Sequence, residues 1–323
     1  VINHPDNTHA NVAGLSLGGG RRENFFFCLL EHYPERGRWF LKSLHQVKDE
    51  EIQDRDEIIT SWIAQYGLQK LVVDFPLSKP PCDTCQLKCP GANVCPQPAV
   101  LEVRKEMQTL LETDAKMEKE NPKRYEQARV AAEETDWARD LLHKTADEHI
   151  LSRSFKRKLR KGFVPYWHRP IDYWIWKSYY DQLLSVFKTS YDSYGHVSVM
   201  LLARLKYLLR HLPSDLDLHE SSIQIVLLEL YRARLVGKFQ LLQLFDLDLQ
   251  SMARETLIRG IEQQLQLFIY DHDFEMLVKN PKAFDSFLLA IAGQGVLMKR
   301  LREIPSWGNH DGGNFVVPDF SST

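Results

Sequence analysis

The chain has 323 residues and a net charge of −2, with 44% hydrophobic and 26% charged residues. This is globular composition, long enough to bury a full core in one large domain or two ordinary ones, so overall stability requires neither disulfides nor a metal. A charge near zero excludes bulk attraction to polyanions and confines any nucleic-acid surface to a local patch. No run approaches about 18 apolar residues, and the first five residues lack a basic or apolar leader, so the expectation is a soluble, non-secreted, cytoplasmic protein with no membrane contact.

In chain order, residues 11–17 have strand character and run into Gly18, Gly19 and Gly20, which turn the chain. Residues 24–32, rich in Phe, and 38–47, with imperfect alternation, predict two more strands joined near Gly37, giving three antiparallel strands. Asp56 is placed to cap a helix that carries Ile58, Ile59, Trp62, Ile63 and Tyr66 on one face and ends at Gly67. Residues 70–76 form a short apolar run suited to a buried parallel strand with Asp74 at its carboxyl end.

From Pro80 the character changes. A Pro- and Cys-rich loop precedes a charge-dense stretch with helical spacing over 99–150, and further helices are expected over 172–187 and 197–212. Residues 222–230 predict another buried strand ending near Glu229. Helical segments follow over 233–245, 251–266 and 283–302, and 315–317 is a small closing strand. The domain expectation is therefore an α/β core from 11–80 and 220–323, interrupted by a mostly helical insertion over 81–219.

Asp74 and Glu229 at strand ends and Asp285 in the last long helix are candidates for one shared site, because ligands gather at the carboxyl ends of parallel strands. If they converge, each pair of carboxylates at ~4 Å costs roughly 4 kcal/mol at an effective dielectric of about 20, which a Mg2+ or Mn2+ ion would relieve. Such hard ions can clamp the attacking and leaving oxygens of phosphodiester hydrolysis. Residue spacing alone favours local roles: Asp74 capping the turn before Pro76, Glu229 pairing with Arg232 or Arg234, and Asp285 capping a helix.

The segments AGLSLGG, VVDFPLS, LLELYRARL, FDSFLLAIAG and GNFVVPDF, in this order after a β-β-β-α-β start, resemble a predicted-nuclease family of the ribonuclease H-like superfamily over nearly the whole chain. The resemblance implies a ribonuclease H-like mixed sheet, three antiparallel strands then parallel ones, flanked by helices. It also implies a divalent-metal-dependent nuclease with acids on the first strand, the fourth strand and the final helix. Asp74 matches the fourth-strand acid, Asp285 the final-helix acid and Glu229 the acid of a later strand motif. Ser16 stands where the family carries its first acid, and no acid lies between Asn11 and Arg22. The lost charge weakens metal binding, which implies impaired or absent hydrolysis. Two other functions stay open: a non-catalytic nucleic-acid-binding or scaffold protein, and an interaction module whose helical insertion recruits a protein partner.

Cys82, Cys85, Cys89 and Cys95, spaced x2, x3 and x5, are the sharpest chemical signal. Four thiolates in so short a loop suit a closed tetrahedral Zn site or, alternatively, a four-iron iron–sulfur cluster, and the spacing does not decide between them. Either is structural and not catalytic. Arg153, Lys156, Arg157, Lys158, Arg160 and Lys161 form a basic run followed by Tyr166, Trp167, His168 and Arg169. This pattern suits nucleic-acid phosphates with aromatics that stack on bases, or equally neutralisation of the acidic stretch around Glu133 and Asp140. The aromatics of 173–180 have helical spacing and belong to a core, and His272 between Asp271 and Asp273 suits a local turn.

Overall fold

The computed structural model describes residues 10–17, 25–46, 57–127, 151, 153–195, 199–310 and 312–321. Strands β1 (Ala10–Leu17), β2 (Phe25–Tyr33) and β3 (Arg38–Gln46) form an antiparallel meander. Gly37, at φ +58°, supplies the left-handed turn between β2 and β3. Helix α1 (Glu57–Gln65) buries Ile58, Ile59, Trp62 and Ile63 and is followed by a turn at Gly67, also left-handed. Strand β4 (Lys70–Val73) then returns parallel to β1, with Gly14 opposite Val72 and Leu15 opposite Val73. Asp56 and the Gly18–Gly20 turn lie outside the described residues.

Next come α2 (Pro81–Thr84), α3 (Pro98–Glu120), α4 (Arg153–Lys161), α5 (Pro170–Phe187) and α6 (Val199–His211). Strand β5 (Asp217–Glu220) and helices α7 (Ile223–Arg232), α8 (Lys238–Gln243) and α9 (Gln250–Gln264) follow. The two-residue β6 (Leu267–Phe268), α10 (Asp271–Lys279) and α11 (Pro281–Leu297) complete the elements. The fold is α/β, with a mixed six-stranded sheet in the order β5-β4-β1-β2-β3-β6 and helices beside it.

Several elements differ from expectation. Residues 222–230 are not a strand but most of α7. Its run from Ile225 to Leu230 is buried throughout, and a helix buried on every side carries the same continuous apolar signal as an interior strand. The parallel strand lies just before it, in the polar-looking sequence Asp217-Leu218-His219-Glu220, paired with Lys70 to Val73. Residues 315–317 make a single parallel bridge from Phe315 to Glu220 in place of a strand. The helix expected over 233–245 shortens to α8, because Arg234 takes a left-handed φ of +60°. The last helix stops at Leu297, before left-handed Lys299.

The chain divides into two compact units. One comprises Val1–Phe75, Val197–Glu303 and Asn314–Thr323, and the other Pro76–His196 and Ile304–Gly313. The expected insertion over 81–219 thus gives way to different bounds. β5 belongs with the sheet because Asp217 N–H donates to Gln69 O at 2.8 Å and Ser221 N–H to Val73 O at 2.9 Å. Residues 304–313 join the second unit, where Trp307 packs on Tyr173 with ring centroids 6.0 Å apart. That unit is cored by Val100, Val103, Phe155, Leu159, Tyr173 and Trp176, so the helical aromatics are packing groups, as their spacing predicts.

In the first unit, α11 lies directly on β1. A Cβ added at Gly14 would sit 2.1 Å from Ser286 O and 2.4 Å from Ala290 N, and one at Gly293 would sit 2.2 Å from Val12 Cγ2. Only hydrogen fits at either contact. Gly14→Ala is therefore expected to force the helix off the strand and to destabilise the protein by about 1–3 kcal/mol, the usual cost of overpacking. Thermal denaturation measures this, and an unchanged midpoint would mean that the helix does not approach so closely.

Candidate carboxylate site at the ends of β1 and β4

Asn280 fixes the start of α11: its side-chain oxygen accepts from Lys282 N–H at 2.9 Å and Ala283 N–H at 3.4 Å, and Pro281 occupies the first helical position. Lys282 and Asp285 then fall three residues apart on one face, with Lys282 Nζ 2.8 Å from Asp285 Oδ2. The close contact at Gly14 brings this turn toward the carboxyl end of β1. The β1–β4 register places Ser16 one step beyond the Leu15–Val73 pair, next to Asp74, and the buried Ser16 hydroxyl donates to Asp74 Oδ2 at 2.9 Å.

Electrostatics tie these groups together. Burial works to lower the Lys282 ammonium, but Asp285, through charge and hydrogen bond, and then Asp74 hold it above its ordinary value. Burial pushes the Asp285 carboxyl up, and Lys282 and Arg254 oppose the rise. Lys282 is thus the shared neighbour of the two acids. Its signal in the sequence was its position three residues before Asp285, the spacing of a helical ion pair.

Glu229 is engaged by other partners. On α7, 1% exposed, it accepts from Arg232 Nη1 at Oε1 and from Arg302 Nε at Oε2, both at 2.6 Å. The local pairing with Arg232 is the one its spacing favours, and Arg302 is a partner from 73 residues away. Among the described residues no three His, Cys, Asp or Glu side chains are grouped so as to hold a metal ion. His272 lies in the first turn of α10 between Asp271 and Asp273, where acids suit the helix N-terminus.

The basic run forms α4, with Phe155 and Leu159 buried. Much of its charge is used internally. Lys156 Nζ lies 2.6 Å from the fully buried Asp114 and 3.1 Å from Glu118, Lys158 pairs with Asp192, and Arg153 is 3.7 Å from Glu126. Asp114 also accepts from Tyr125 Oη at 2.7 Å and from Leu151 N–H at 2.8 Å, and the Tyr125 hydroxyl is pushed up to about 12, chiefly by burial and then by Asp114. Arg157, Arg160 and Lys161 are exposed and form no ion pair among the described residues. Tyr166 and Trp167, 64% and 51% exposed, follow in the same unit. Glu133 and Asp140 lie outside the described residues.

The cysteine loop is framed by α2 and the start of α3. Burial and then the neighbouring Cys95, Cys89 and Cys85 thiols push Cys82 up, whereas hydrogen bonds from Gln97 and from the Leu87 backbone pull Cys85 down. No disulfide joins the five cysteines. No helix among the described residues is long and apolar enough to cross a membrane. Comparisons with family models, with curated proteins and with solved structures each return no match.

Two measurements test the geometry. Glu229→Ala leaves two arginines without their buried partner and is expected to cost about 3–5 kcal/mol in denaturant unfolding, and a loss below about 1 kcal/mol would contradict the double pairing. Asp285, held above its unfolded value, keeps its proton longer in the folded state, so its contribution to stability falls as pH rises from the ordinary carboxylate range to the raised folded value. Removing the ammonium with Lys282→Met is expected to raise the Asp285 carboxyl further and extend that fall to higher pH. Carboxyl NMR titration reads the shift, and no movement would dissociate the pair.

Proposed function

We propose that this chain, which carries a ribonuclease H-like sheet, binds nucleic acid without hydrolysing it. The observation that carries this reading is Lys282. Its ammonium answers to both Asp285, at 2.8 Å, and Asp74, so a cation belonging to the chain stands in the place where the resemblance calls for a divalent metal. Acids whose charge is already balanced by an ammonium of the chain need no added ion. Ser16 in place of the first acid and the pairing of Glu229 with two arginines point the same way. The ribonuclease H-like reading itself is supported by the three-stranded meander, by parallel β4 and β5 beyond β1, and by Ser16, Asp74 and the start of α11 at one end of those strands.

Binding is favoured by the remaining exposed part of the basic run. Arg157, Arg160 and Lys161 can neutralise phosphates, and Tyr166 and Trp167 offer faces on which bases stack. Lys156 and Lys158 are occupied by Asp114, Glu118 and Asp192 and serve the fold. A charge near zero over the whole chain makes this patch, and not the overall field, the source of attraction.

Labelled single- and double-stranded DNA and RNA incubated with Mg2+ or Mn2+ are expected to stay intact but to be retained in a gel-shift assay, with affinity falling as salt rises. Replacing Arg157, Arg160 and Lys161 together by Ala should flatten the log–log salt dependence by about two to three units and weaken binding to all sequences alike. Metal-dependent cleavage abolished by Asp74→Asn would restore the nuclease reading. Absence of both cleavage and salt-dependent binding would leave the scaffold alternative.

A further inference from the structure

The four cysteines occupy a loop whose backbone is fixed at both ends. Pro81–Thr84 form one helical turn that carries Cys82 and ends at Cys85, where the backbone becomes extended. The Cys82 N–H is tied to Pro165 O at 3.1 Å, anchoring this turn to the segment after α4. Gly91, at φ +109° with open space around its Cβ position, turns the chain between the third and fourth cysteines because few other residues adopt that conformation. A short 3-10 turn, Ala92–Val94, then delivers Cys95, 7% exposed, into the core cluster with Val100, Phe155, Tyr173 and Trp176.

Within this frame the four cysteines are free thiols, none of them bridged to another. The Cys85 sulfur accepts from Gln97 Nε2 at 3.3 Å and from the Leu87 backbone N–H two residues on. Amide donors directed at a sulfur favour its thiolate form and orient it, which is the outer support that a metal-bound thiolate needs. The second unit, with an aromatic core of its own, has no evident need of four thiols in one short loop for packing, since only Cys95 contributes to that core.

We propose that Cys82, Cys85, Cys89 and Cys95 are the four ligands of a structural Zn2+ site that fastens the start of α3 to the Pro165 segment. The thiols share one loop but do not surround a common centre, since no three are grouped so as to hold an ion as they stand. Closure requires the loop to draw the four sulfurs together around the ion. Binding releases the thiol protons to solvent, and the ion then removes the mutual repulsion that would otherwise prevent four neighbouring thiolates from coexisting. Four sulfur ligands leave no open position, so the centre supplies stability and not catalysis.

The full chain, expressed with zinc and iron both supplied and purified without chelator, is expected to carry one zinc per chain, with no iron and no visible absorption. Cys89→Ser removes an exposed thiol that takes no part in the core, and it should abolish stoichiometric zinc while leaving the far-ultraviolet spectrum unchanged. Alkylation followed by mass spectrometry should find Cys85 and Cys89 protected until a strong chelator is added, and the chelator should lower the thermal midpoint. Iron with broad visible absorption would overturn zinc in favour of a cluster. A metal-free chain, full zinc retained by Cys89→Ser, or a disulfide among the four would overturn the site.

Discussion

The contact between α11 and β1 decides what the first unit can do. At Gly14 the helix backbone approaches so closely that a methyl group has no room, and at Gly293 the strand's Val12 fills the space that a side chain would take. Close approach of two backbones fixes the helix along its axis as well as in its distance from the sheet. The first turn of α11, set by the Asn280 cap, is therefore held near the ends of β1 and β4, and Lys282, Asp285, Ser16 and Asp74 become neighbours although they come from distant parts of the chain. The site is a consequence of this packing and not of any local motif.

What is legible in the sequence follows from the same physics. The meander and β4 can be read because their apolar patterns end at turn residues such as Gly37 and Gly67, whose left-handed backbone the structure retains. α7 cannot, because a helix buried on every side has no polar face to betray its period; the true strand, Asp217–Glu220, is hidden because half of its side chains are charged. The same asymmetry governs the site. The Ser16–Asp74 neighbourhood follows from parallel register, and Arg232 from helical spacing, but Arg302 reaches Glu229 from another segment through tertiary packing alone. Asp285 is conspicuous as an acid in an apolar helix, whereas Lys282, which changes what that acid can do, looks like an ordinary first-turn residue.

Both units show charges first consumed by the fold. Asp114 is fully buried yet satisfied by Lys156, by Tyr125 and by a backbone amide, and Glu229 is equally buried between two arginines. A buried acid of this kind is costly to leave alone and is tolerable only when each oxygen has a donor. A count of acids and bases along the chain therefore overstates the charge available for ligands. In α4, Lys156 and Lys158 are held by acids and half-buried or more, whereas Arg153, Arg157, Arg160 and Lys161, whose positions fall away from Phe155 and Leu159, stay exposed.

The same reasoning separates the carboxylate site from the cysteine loop. In the first, positive charge is already present: an ammonium of fixed size, carried by the chain itself, serves two acids and is in turn held charged by them. A divalent ion entering there would have to displace Lys282, and the displaced ammonium would then lie close to a second cation in a largely buried place. In the cysteine loop the donors to Cys85 are amides, which orient a thiolate without cancelling its charge. A site that contains its own counter-charge can be stable empty, whereas the zinc site proposed at the four cysteines depends on a cation from outside. On that distinction two sets of metal-ligating residue types in one chain call for different experiments.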